Sequence, residues 1–172
     1  MAARPVIRPP APAELGLLIE IEHRANRAFA DHGLPEIADD GSGTLEGLEA
    51  YRATGRARVA VDERDLPIAY ILTAEVDAAV HIEQVSVDPA HAGRGIGAEL
   101  IEHVCDLARA QGHASVTLTT FRDIPWNAPY YARLGFAELA QDEWGPQLRA
   151  LIAHERDAIP GDAPRVAMIR PL

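Results

Sequence analysis

The residues with the most chemical content lie in one run, Val85-Ser-Val-Asp-Pro-Ala-His-Ala-Gly-Arg-Gly-Ile-Gly-Ala98. It reads as a strand, a proline-containing turn, a glycine loop and the first turn of a helix. Gly93, Gly95 and Gly97 clear side chains from a loop that opens directly onto a helix N-terminus. Backbone N–H groups can close on an anion there, and the helix dipole favours negative charge. A phosphate-bearing ligand is therefore expected. A phosphate loop ending in Gly-Lys-Ser/Thr is excluded, because all 16 basic residues are arginine. Gly93-x-Gly95-x-x-Ala98 matches a relaxed dinucleotide fingerprint, but Asp88 to Ala92 separate it from its strand. No carboxylate closes the next strand either, since Asp123 lies beyond Phe121 and Arg122. A purely structural glycine turn is the plain alternative.

Other reactive side chains carry weaker signals. On the run Val80 to Val87, His81, Glu83 and Val85 share one face by strand alternation. The 7 histidines are scattered, with no His-Glu-x-x-His spacing, so no metal is expected. Cys105 sits on the apolar side of a helical stripe and reads as core filler. As the single cysteine it forms no internal disulfide, which fits a reducing cytoplasm.

These residues need a scaffold, and the patterning supplies one. Val6-Ile-Arg reads as a short edge strand, followed by a proline-rich break. Leu15, Leu18, Ile19, Ala25, Ala28 and Phe29 form a helical stripe between Ala13 and Ala30. Asp31 to Gly43 reads as an acidic loop, and Thr44 opens a shorter helix running to about Tyr51. Runs from Arg58, Ile68 and Val80, joined by short polar turns, read as an antiparallel meander. The helix after the glycine loop spans Gly97 to Gln111, with Gly112 as its C-cap, and Ser115 to Thr120 is a β-branched strand. Strand, helix and strand form a βαβ unit, so that part of the sheet is parallel. Asn127 caps a short helix, Gly135 to Leu139 starts another strand, Pro146 to about Glu155 is a helix, and Arg165 to Arg170 is a last strand. The fold class is α/β: a mixed sheet of about seven strands with four to five flanking helices.

Size and composition fit one domain over 1–172, with 48% hydrophobic and 24% charged residues. No apolar run approaches the roughly 18 residues of a membrane span, and the N-terminus lacks the apolar segment of a secretory signal. The net charge of −10 argues against nucleic acid as a partner, because phosphate neutralisation needs basic patches. It suits a cationic partner as well as plain solubility.

The loop sequence, the helix ending at Gly112, the strand after it and Asn127…Tyr131-Ala-Arg-Leu-Gly-Phe136 together resemble the GNAT superfamily of acyl-CoA-dependent N-acetyltransferases. The detailed resemblance covers about Ile68 to Leu139. It implies acetyl transfer from acetyl-CoA to a primary amine of a small molecule or peptide. Main-chain groups of Ala92, Gly93, Arg94, Gly95, Ile96, Gly97 and Ala98 would clamp the pyrophosphate. Val85, Ser86 and Val87 would line a gap where their strand splays from the next parallel one. The family's loop signature begins with Gln or Arg, and that position is Ala92 here, so any side-chain contribution is lost unless Arg94 compensates. Tyr131, four residues before Gly135, matches the family's general acid, and a half-buried helix tyrosine is its plainer reading. The family's base position falls near His81, with Glu83 as the other choice. Asn127 resembles the family's pantetheine-binding asparagine, and a simple N-cap is the alternative. The acceptor would lie between Asp31–Gly43 and Gln141–Pro164, both rich in acidic residues, which favours a cationic amine. A non-catalytic acyl-CoA sensor is the rival expectation, and the stripe Leu148, Leu151, Ile152 fits a homodimer contact or a lid, with ordinary core packing fitting it best.

Overall fold

The computed structural model describes residues 4–39, 43–159 and 161–172. Its seven-stranded sheet runs β1-β2-β3-β4-β5-β7-β6. The strands are β1 (Val6–Arg8), β2 (Ala57–Val61), β3 (Pro67–Val76), β4 (Ala79–Val87), β5 (Ser115–Phe121), β6 (Ala137–Glu138) and β7 (Arg165–Pro171). β1 to β4 form the antiparallel meander, and β4 pairs parallel with β5. β7 then inserts antiparallel between β5 and β6.

The helices are α1 (Leu15–Asn26), α2 (Pro35–Ala38), α3 (Leu45–Ala53), α4 (Ile96–Ala110), α5 (Ala128–Arg133) and α6 (Pro146–Ala158). α2 is a single turn inside the stretch expected to be loop, started by Pro35, which fits a first helical turn. The first helix is shorter than its stripe, because 3₁₀ turns at Pro12–Glu14 and Arg27–His32 take up its ends. Thr44 caps α3 as expected, its hydroxyl accepting from Gly47 N–H at 3.1 Å. Asp40, part of the expected acidic loop, lies outside the described residues.

Two layers of helix cover the sheet. α4 packs Leu100, Ile101, Val104 and Cys105 onto Ile82, Val116, Leu118, Val166 and Met168, with Tyr130 and Tyr131 of α5 at the margin. On the opposite face α1 and α3 pack Leu15, Leu18, Ile21 and Leu48 onto Val59, Tyr70 and Leu72. α6 buries Leu148 and Ile152 against Val76 and Ala167 there, so that stripe is used by the sheet. Among the described residues no helix is long and apolar enough to cross a membrane.

Candidate active site

Two features of the sheet create the site. β4 and β5 are paired only from Val80–Ile82 to Val116–Leu118. Beyond that β4 follows β3 as far as Val87, while β5 follows β7 as far as Arg165. Among the described residues the edges of Val85, Ser86 and Val87 facing β5 therefore have no strand partner, and unpaired main-chain groups call for a ligand or solvent. The second feature is a β-bulge in β4. Leu72 pairs with Gln84 and Thr73 with Ile82, which leaves Glu83 without a counterpart.

The bulge corrects the alternation read from the sequence. Val80 and Ile82 pack toward α4, and after the bulge so do Val85 and Val87. His81 and Glu83 stay on the opposite face, so Val85 is not with them. His81 is buried beneath the paired part of the two strands, its Nδ1 2.8 Å from Thr117 Oγ1. Burial drops its pKa to about 4, so the ring is neutral at pH 7. Glu83 is exposed and lines an open cavity of about 280 Å³ with Glu22, Tyr51 and Gln84. Desolvation by the cavity walls, helped by the charge of Glu155, raises its carboxyl pKa.

The glycine loop opens onto α4 as read. Gly93 and Gly95 have φ of 74° and 77°, a region that L side chains rarely adopt. Gly95 is the N-cap residue and no side chain caps it, so the first-turn N–H groups face outward. Gly97 answers a different need: a Cβ there would lie 3.0 Å from Tyr130 Oη and 3.6 Å from Val87 Cγ2. Arg94 is exposed, Ala98 half-exposed and the Ile96 side chain buried. Asp88 secures the turn before the loop. It accepts from Ala90 N–H at 3.0 Å and from Arg24 at 2.7 and 3.0 Å. Burial opposes its ionisation, but these donors outweigh it and hold the carboxyl below its usual range.

Tyr131 is half-buried in α5, edge-on to Tyr130 at 5.5 Å and to Phe136 at 6.0 Å between ring centroids. Burial first, and Tyr130 second, hold its phenol above the usual tyrosine range, so it carries its proton at neutral pH. Asn127 occupies the N-cap position of α5, yet its buried side chain makes no capping bond. The plain N-cap reading is therefore set aside.

Several residues here escaped the sequence reading. Glu22 of α1 is 3% exposed and accepts from Tyr70 Oη at 3.3 Å. Gln84 Nε2 donates to that hydroxyl at 2.6 Å and to Ser86 Oγ at 3.1 Å. Glu22 falls four residues after Leu18, inside the apolar stripe, and a carboxylate in that position was the available signal. Arg24, Glu155 and Arg165 gave none. Among the described residues no group of three His, Cys, Asp or Glu side chains could hold a metal.

A mixed sheet parted beside a bare helix N-terminus defines an α/β protein that offers free main-chain N–H groups to an anion. The sequence model of the Acetyltransferase (GNAT) family matches residues 19–136, and the chain belongs to that family. It is 33% identical over 95 residues to the glucosamine 6-phosphate N-acetyltransferase of Trypanosoma brucei brucei, covering 55% of this chain and 60% of that protein. It is 36% identical over 104 residues to the streptothricin acetyltransferase of Streptomyces lavendulae, covering 58% and 53%. The chain thus spans little more than half of either relative. The PaiA N-acetyltransferase of Thermoplasma acidophilum, solved with coenzyme A, superposes with a TM-score of 0.67 at 14% identity over 97% of this chain and 98% of that one. That likeness is one of fold.

Proposed function

We propose that this chain, as a single domain over 1–172, transfers an acetyl group from acetyl-CoA directly to a primary amine in a ternary complex. The observation that carries this is the parting of β4 from β5 beside the uncapped N-terminus of α4. In this reading N–H groups from Ala92 to Ala98 hold the pyrophosphate, and Arg94 adds a charge-assisted bond. Val85, Ser86 and Val87 bind the pantetheine arm with their free main-chain groups. The Asn127 amide meets the same arm.

The amine nitrogen attacks the thioester carbon, the C–N bond forms, and the C–S bond breaks. Tyr131 donates its proton to the departing thiolate. The base takes the proton that the amine must lose. Between the two candidates the geometry favours Glu83, which lines the open cavity, over His81, which is 1% exposed. Ionised Glu83 with the Glu22 carboxylate draws in a cationic amine. The names of the relatives, acting on glucosamine 6-phosphate and streptothricin, support a small-molecule acceptor. A cytoplasmic setting, read from the single cysteine, belongs to the same proposal.

The test pairs calorimetry of coenzyme A with thiol release from acetyl-CoA across a panel of amines. Micromolar binding and turnover are expected, with Tyr131→Phe leaving CoA affinity intact and lowering kcat by about 10²-fold or more. Undetectable CoA affinity overturns the proposal. Binding without turnover of any amine turns it into an acyl-CoA-binding role.

A further inference from the structure

A second cavity, of about 410 Å³, lies on the Glu83 face of the sheet between α6 and the ends of β5 and β7. Arg165 lies in its wall. The guanidinium stacks on Phe121, its Cζ 4.6 Å from the ring centroid. Its nearest polar contacts are Glu155 Oε2 and Thr119 Oγ1, both 3.5 Å from Nη2 and so at the outer limit of hydrogen bonding. Its Nε is buried and has no partner among the described residues. Glu155 is turned toward Thr119, whose hydroxyl donates to Oε1 at 2.8 Å. An arginine stays charged inside proteins, and a buried charge without full hydrogen bonding is costly.

We propose that Arg165 anchors a carboxylate or phosphate group of the acceptor, whose amine points to Glu83, so that the preferred acceptor carries both charges. This rests on the acetyl-transfer reading and names its substrate class. A planar guanidinium can take two oxygens of one anion, a geometry that lysine lacks. The cavity volume falls in the range of small-ligand sites. Glu155 links the two ends: it faces Arg165 and its charge is felt at Glu83. Arg156 and Asp162 also line this cavity, both exposed, and leave Arg165 as its half-buried cation.

The experiment compares matched amines with acetyl-CoA: 4-aminobutyrate against butylamine for a carboxylate, and glucosamine 6-phosphate against glucosamine for a phosphate. In one arm kcat/KM is expected to favour the anionic member at least tenfold. Arg165→Gln should bring that ratio to within threefold of one, leave the neutral amine's kcat/KM within threefold of wild type, and leave CoA affinity unchanged. Equal use of both members by wild type, or an equal loss for both in Arg165→Gln, overturns the proposal. A readout without turnover uses Trp144, which lines the cavity. In a Trp126→Phe background its fluorescence is titrated with acetate and with inorganic phosphate at constant ionic strength. A saturable change with Arg165 that vanishes in Arg165→Gln supports the anchor. A flat titration together with absent turnover overturns it, while lost CoA binding alone points to failure of the underlying reading.

Discussion

His81 and Glu83 are two residues apart on one strand, and their surroundings push them to opposite tasks. Glu83 has a folded-state pKa above the ordinary carboxylate value, so it must shed its proton before it can serve as base. Activity should therefore rise with pH through that raised pKa, and Glu83→Gln should lose this acidic limb and about 10- to 100-fold in kcat/KM, as rate–pH profiles will record. Between its unfolded and folded pKa values folding takes up a proton, so the ionised carboxylate works against stability at neutral pH. The same Gln variant is thus expected to melt higher at pH 7 while working slower. His81 has the reverse role. The unfolded ring takes a proton near 6.5, but the buried ring refuses it until about 4. Stability is complete above pH 6.5 and falls between 6.5 and 4, by roughly 3 kcal/mol over the full range. Melting temperatures followed over that window should fall less steeply in His81→Gln, which keeps a polar group for Thr117. An identical slope in both proteins would assign the loss to other groups.

At the scale of elements, the loop and helix α4 act as one unit, and Gly95 is the joint. Its φ of 77° costs an L residue roughly 1–2 kcal/mol, although a Cβ there would meet nothing within 4 Å. Gly95→Ala should lower stability by that amount, read as a lower melting temperature, and weaken CoA binding more than stability loss alone accounts for, since the amides it aims would turn away. Calorimetry on the folded variant checks this, and unchanged CoA affinity would separate the loop from the ligand. Elements whose signal is local were legible in the sequence. The antiparallel order of β2 to β4, the stripe Leu100–Ile101–Val104 and the Thr44 cap were read in place. What failed was long-range. The bulge at Glu83 is set by the pairing with β3 and has no sequence signature, and it carried Val85 to the other face. β6 has only two residues because it depends on β7 for its partner. Glu22 and Arg165 become site residues only when α1 and β7 meet the central strands.

The whole molecule carries a charge of −10, yet the proposed co-substrate is itself a polyanion. Long-range repulsion must therefore be overcome locally, by oriented amides and the α4 dipole, with Arg94 as the loop's one cation. Such a field is screened differently from its contacts. The Debye length falls from about 30 Å at 0.01 M salt to about 8 Å at 0.15 M. Over that range repulsion between the protein and CoA is largely removed, while N–H bonds made at contact distance persist. CoA is expected to bind no more weakly, and to associate faster, as salt rises to 0.15 M. A site held by several arginine–phosphate pairs would instead loosen steeply. Calorimetry and stopped-flow mixing at the two salt concentrations, on wild type and Arg94→Ala, distinguish the cases. A steep loss of affinity in wild type that Arg94→Ala abolishes would put the grip in that side chain rather than in the backbone.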